Sequence, residues 1–235
     1  MTPVAQMKHT SRGSFQTFGI KMKQSNDIEL DNLIDVIFSE LLRESDRGSV
    51  IMGADILDSQ LNLKLDEIMT SNAIKPKERK RMLQFNGVFG TLSSKIDALY
   101  AFGCISDKSR NSANALRKIR NNAAHSNERF EMSDNSDHLM NMYDLGADNV
   151  PELINVLAQD HLIKRFTLNA LSSDAGRAPL FNSEDEAKKY LRSSPEALGR
   201  IGKHIPQVSF AFGLIFLCRE ILQYKWKPNK SSEPT

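Results

Sequence analysis

Between Val208 and Cys218 the chain reads Val-Ser-Phe-Ala-Phe-Gly-Leu-Ile-Phe-Leu-Cys, an uncharged run whose apolar side chains leave no polar face on a helical wheel. A helix of that kind has to be covered on nearly every side by other elements. The run is too short to span a bilayer, which needs about 20 apolar residues. It therefore reads as a helix buried at the centre of a bundle or at a subunit contact.

The covering elements are expected to be helices, because no stretch of the sequence shows strand alternation. From Asp31, the apolar residues Leu33, Ile34, Ile37, Phe38, Leu41 and Leu42 recur at helical spacing, with Asp27 or Asp31 as cap and the Arg47-Gly48 pair near the stop. A second helix, about Val50 to Thr70, carries Ala54, Leu57, Leu61, Leu65 and Ile68 as a narrow stripe suited to a bundle. Thr91 caps a helix that turns Leu92, Ile96, Leu99, Tyr100 and Phe102 inward, Gly103 stops it, and Ser106 or Asp107 starts the next after a tight turn. Ser126 to Asp148 is polar, with its methionines in no register, and reads as a long loop with one helical turn. Asn149 and Pro151 fit the cap and first turn of a helix carrying Leu153, Ile154, Leu157 and Leu162. Ser183 and Ser194-Pro195 start two short helices, and Pro206 precedes the last one, Gln207 to about Trp226.

The predicted class is all-α: a bundle of four or five principal helices with a helical C-terminal extension. Residues 1–27, with four cations and no acid before Asp27, are expected to form a flexible basic arm. A bundle core at 28–130, a polar loop at 131–148, a helical C-terminal part at 149–226 packing on the same core, and a tail at 227–235 follow. The 235 residues, 40% hydrophobic and 26% charged, suffice for one sizeable buried core. Cys104 and Cys218 stand in unrelated contexts, so neither a disulfide framework nor a zinc site is expected, and a reducing cytoplasm fits. No charged segment followed by an apolar one opens the sequence, which argues against secretion. No metal-ligand spacing, Ser-His-Asp arrangement or glycine-rich phosphate loop is legible, and no cofactor or membrane partner is expected.

Two stretches carry candidate chemistry. In Leu116-Arg117-Lys118-Ile119-Arg120-Asn121-Asn122-Ala123-Ala124-His125-Ser126, a cationic helix runs into a histidine. Ser112, Ala113, Leu116, Ile119 and Ala123 form its apolar stripe, with Arg120 at the edge. Asn121 and His125, four apart, share one face. Arg120 and His125, five apart, are separated by about 140° on an ideal helix. They converge only if the helix ends near Ala124. His125 can exchange a proton near neutral pH, Arg120 can present a bidentate fork to a phosphate, and Asn121 can orient either the histidine or a phosphate oxygen. Asp58, Glu67 and Asp97 lie on helices that can bring an acid to His125. Equally, Arg120 and His125 can serve only the helix end and its dipole.

The second stretch is Lys75-Pro76-Lys77-Glu78-Arg79-Lys80-Arg81, followed by Phe85, Val88 and Phe89 among glycines. Lys77, Arg79, Lys80 and Arg81, with Arg117, are candidate RNA-binding residues, since cations beside aromatics can grip phosphate and stack a base. The alternative is a solvated short helix and a loop whose aromatics plug the core.

The spelling Arg120-Asn121-Asn122-Ala123-Ala124-His125 resembles the Arg-polar-x-x-x-His pattern of the higher-eukaryote-and-prokaryote nucleotide-binding (HEPN) superfamily, which includes metal-independent ribonucleases. The stretches 90–106 and 116–121, within a likeness over roughly residues 30 to 130, are similar to the core of the mannitol operon repressor family, also all-helical. The first resemblance implies a metal-independent endoribonuclease, a growth-arresting toxin or a phage-defence effector, with Arg120, Asn121 and His125 catalytic. It also implies a homodimer that supplies a second histidine. The second implies a non-catalytic transcriptional regulator acting through a protein or nucleic-acid partner. RNA, a second copy of the chain, and an antitoxin or regulatory protein are the expected partners.

Overall fold

The computed structural model describes residues 34, 37–126, 129–147, 149–172 and 178–224. The basic arm expected at 1–27 and the tail at 227–235 lie outside these residues. A helical segment at residues 37–41, α1, leads into α2 (Asp46–Ser71), α3 (Pro76–Leu83), α4 (Leu92–Ala101) and α5 (Asp107–His125). A 3-10 turn (Met132–Asn135) runs into α6 (Ser136–Tyr143), followed by α7 (Val150–Leu171), α8 (Glu184–Ser193), α9 (Pro195–Gly202) and α10 (Ile205–Gln223). Among the described residues there is no strand, and the chain is all-α as its periodicity predicts.

The apolar run forms α10, which packs against α2, α5, α6 and α7. Phe210, Ala211, Leu214, Leu217, Cys218 and Ile221 are fully buried there. The approach to α2 is close enough that a Cβ at Gly53 would lie 2.6 Å from Cζ of Phe210, so glycine makes room for the ring. On the α6 side, Gly213 makes room for the ring of Tyr143 in the same way. Among the described residues α10 alone is long and apolar enough to cross a membrane, and 61% of that apolar window is buried inside the protein.

Polar side chains fasten the ends of this central helix. The amide nitrogen of buried Gln207 lies 2.9 Å from Leu41 O, 2.8 Å from Glu44 O and 2.8 Å from Ser49 Oγ, tying the start of α10 to the α1–α2 turn. At the other end, Nζ of buried Lys64 donates to Leu222 O at 3.4 Å and Tyr224 O at 3.2 Å, placing a cation on the negative end of the helix dipole. Beside α10, Phe38 stacks on His161 at 4.8 Å and meets Phe212 edge-on at 5.0 Å. Burial, with Arg165 adding to it, holds His161 below its ordinary pKa of 6.5.

Several boundaries differ from those expected. The Arg47-Gly48 pair does not end the first helix but lies in the first turn of α2, because the Ser45 hydroxyl accepts from Gly48 N at 3.2 Å and caps the new helix. Gly103 stops α4 as expected, at φ 66°, yet Phe102 sits at the C-cap and is 51% exposed instead of inward. The polar stretch 126–148 is not one long loop: Met132, Leu139, Met142 and Tyr143 are buried and hold the 3-10 turn and α6 against the bundle. Leu153, expected inward on α7, is 48% exposed, while Ile154 and Leu162 face the core. Pro206 lies within the first turn of α10, where its missing N–H costs nothing. The expected helix end at Trp226 falls outside the described residues, and Tyr224 caps the helix.

Candidate functional site

The motif helix α5 is held from both sides along its length. The Ser106 hydroxyl accepts from Ser109 N at 3.0 Å at the N-cap, and Asp107 complements the dipole in the first turn. Its buried face is built of small residues and two larger ones: Ser109, Ser112, Ala113, Ala115, Leu116, Ile119 and Ala123. The small ones let α6 approach, and the Ser112 hydroxyl donates to Asp144 O at 3.1 Å. Arg120, at the edge of this stripe, is exposed.

His125 is the last residue of α5, and Ser126 caps the helix in an extended conformation, its N–H bonded to Asn122 O. The helix therefore ends one residue past Ala124, near the point at which the sequence places its end. On an ideal helix, positions five apart are separated by about 140° around the axis and about 7.5 Å along it. Arg120 and His125 are both exposed. Asn121 stands between them. Its Oδ1 lies 3.4 Å from Arg120 Nη1, and it shares a face with His125 one turn on. Arg117, half-buried, lies one turn earlier on that face and donates to Asn114 Oδ1 at 3.1 Å. On the flank, Asn122 donates to Asn135 Oδ1 at 3.0 Å.

None of the three acids considered for His125 reaches it. Asp58 pairs with buried Lys95 at 2.5 Å, Asp97 with Arg110 at 3.8 Å and Glu67 with Lys64 at 3.5 Å, each held by a cation nearer in the fold. His161 belongs to the aromatic cluster, and His9 lies outside the described residues. Both cysteines are buried free thiols, with Cys218 pushed up to about 12 by burial, so neither offers a thiolate. Among the described residues no group of three His, Cys, Asp or Glu side chains is placed to hold a metal ion.

The second candidate stretch divides in two. Arg79 turns inward, pairing with Asp66 at 2.7 Å and donating to Ile74 O at 2.8 Å, so it anchors α3 to α2 and is not offered to a ligand. Lys77, Lys80 and Arg81 are exposed. Phe89 packs on the core, while Phe85 and Val88 do not.

A cleft of about 950 Å³ opens beside the end of α5, lined among others by Arg47, Arg129, Glu131, Lys203 and His204. Arg47 belongs to both places, because its Nη2 donates to Ser126 O at 2.9 Å. The cleft residues come from three distant segments and share no local pattern, so no sequence signal marks them.

Residues 59–164 match a family described as a domain of unknown function, DUF4145. The match is under half of the 235 residues and runs from within α2 into α7, with the motif helix inside it. Comparison with curated proteins and with solved structures gave no match.

Proposed function

We propose that the chain is a metal-independent endoribonuclease of HEPN type that acts as a homodimer, in the role of a toxin or phage-defence effector in the cytoplasm. The observation that carries this reading is the end of α5, where exposed Arg120 and exposed His125 flank Asn121, which touches the arginine and shares the histidine's face. In cleavage, a base removes the proton of the 2′-hydroxyl, O2′ attacks phosphorus, and the bond to O5′ breaks as an acid protonates it. The products are a 2′,3′-cyclic phosphate and a 5′-hydroxyl. His125 of one chain serves as base or acid, and the second copy contributes the other histidine. Arg120 neutralises charge developing on the phosphorane, and Asn121 orients the arginine toward it.

A second reading, a non-catalytic regulator similar to the mannitol operon repressors, draws on the helical path of α5 from Arg120 to His125, since positions five apart on an ideal helix are about 140° apart. The deciding experiment is cleavage of several single-stranded RNAs in chelator by the wild type and by His125→Ala, with cyclic-phosphate ends as the readout. Folded wild type that cuts none of them, alone or with a candidate partner, removes the ribonuclease reading.

A further inference from the structure

Away from the motif helix, α3 and the loop after it hold cations and an aromatic ring on a stiff piece of backbone. Successive residues of a helix turn by about 100°, so Lys77, Lys80 and Arg81 fall on one face of α3, opposite Arg79, Met82 and Leu83. The inward face is occupied: Arg79 is bound to Asp66 and Ile74, and Met82 and Leu83 pack on the core. The outward cations form no ion pair among the described residues, and Glu78 is the one acid on this helix.

Beyond the helix the chain folds back on itself. Gly87 N donates to Gln84 O at 2.7 Å, Phe89 N to Met82 O at 2.9 Å, and Gly90 N to Gly87 O at 3.0 Å. A Cβ at Gly87 would meet the carbonyls of Arg81 and Met82, and one at Gly90 those of Gln84 and Phe85, so the turn's shape requires both glycines. With Phe89 drawn inward, Phe85 is left 84% exposed and Val88 65% exposed. A large apolar ring left in water by its loop, four residues after unpaired Arg81, buries little of its surface in the fold.

We propose that α3 and the 84–90 loop are a docking surface for single-stranded RNA, with Lys77, Lys80 and Arg81 on successive phosphates and Phe85 as a stacking platform for a base. Cations alone suit any polyanion. A protruding π-face beside them suits a strand whose bases are unstacked, and a duplex offers it no free base. The fixed backbone reduces the entropy lost on binding. This inference takes its choice of RNA from the ribonuclease reading, but it concerns binding and is tested without cleavage.

The probe is a labelled single-stranded 2′-O-methyl RNA, which lacks the hydroxyl nucleophile, titrated against the full chain by fluorescence anisotropy over a range of salt. Phe85→Ala is expected to weaken binding about tenfold with the salt slope unchanged, the order of one lost base stack. The combined Lys77→Gln, Lys80→Gln and Arg81→Gln variant is expected to lower the logarithmic salt slope by about 2, at about 0.7 per phosphate. Lys189→Gln with Arg192→Gln, exposed cations on α8, is the control and should change neither. All these positions are exposed, so the substitutions leave the buried core untouched. The proposal is overturned if wild type does not bind at low salt, if both test variants bind like wild type, or if Phe85→Ala alters self-association in sedimentation while leaving RNA affinity intact. Tight binding of the probe by a chain that cuts no RNA supports the surface and counts only against the catalytic reading.

Discussion

Arg47 Nη2 donates to the carbonyl oxygen of Ser126 at 2.9 Å, joining residues 79 positions apart. The contact fastens the first turn of α2 to the residue that caps the motif helix, and a cation there satisfies a carbonyl at a helix terminus. Arg47→Ala is expected to lower stability by about 1.5 to 3 kcal/mol, the range for a hydrogen bond to a charged group. Urea denaturation provides the check, and an unchanged midpoint would show that the tie is dispensable.

At the motif itself, His125→Ala is expected to reduce RNA cleavage by about 10²–10⁴-fold, the usual contribution of a positioned acid or base. The fold should persist because the side chain is exposed at a helix end. Arg120→Lys should also impair cleavage, since a point charge cannot reproduce a planar fork. Equal cleavage by Arg120→Lys and wild type would remove the arginine from the mechanism.

Lys95 is 3% exposed and its ammonium reaches Asp58 at 2.5 Å. Removing one partner of such a pair leaves a buried charge behind, whereas replacing the cation with an apolar side chain of like shape is often neutral. Asp58→Ala is therefore expected to cost more stability than Lys95→Met, by about 2 kcal/mol or less because Asp58 is partly exposed to water. Thermal melts of the two single variants decide it, and the opposite order would contradict the argument.

Gly53 faces the ring of Phe210 so closely that an added methyl group must displace it. Gly53→Ala is expected to destabilise the protein by about 1 to 3 kcal/mol, the cost of overpacking, despite alanine's better helix propensity. A second substitution, Phe210→Leu, should recover part of that loss by giving the methyl group space. No recovery in the double variant would mean that the backbone had already adjusted.

His161 is held below its ordinary pKa of 6.5 by burial, so the unfolded chain takes up a proton at a higher pH than the folded one does. Its contribution to stability is complete above the unfolded value. That contribution is lost as pH falls from about 6.5 through the lower folded value. Denaturation midpoints should drop over this window in wild type and drop less in His161→Phe, which keeps the stacking with Phe38. Identical pH profiles would show that the histidine is not the titrating group.

The sequence makes some elements far more legible than others, for physical reasons. α4 and α5 carry their own start signals, Thr91 and Ser106, and apolar stripes long enough to read without knowing their neighbours. α6 carries none: Asn135 makes no side-chain cap bond, and its helical state depends on Leu139, Met142 and Tyr143 being buried where α6 packs on α5 and α10. Leu153 and Phe102 show the limit of periodicity, which finds a helical face but not the edge where that face meets water. At the site, spacing placed Asn121 and His125 on one side of α5, while the inward turn of Arg79 and the tie from Arg47 depend on tertiary partners at Asp66 and Ser126.

The long reach of Gln207, whose side chain serves Leu41 and Ser49 across more than 150 positions, has a consequence for biosynthesis. α2 and α5 emerge from the ribosome with their α10-facing surfaces bare, and those surfaces stay bare until residue 223 has been added. Throughout that interval the nascent chain displays an unfilled apolar trough, the kind of surface that chaperones bind and that aggregates nucleate on. The helix that fills the trough is the last one made among the described residues, and its Gln207 amide reaches back to the α1–α2 turn.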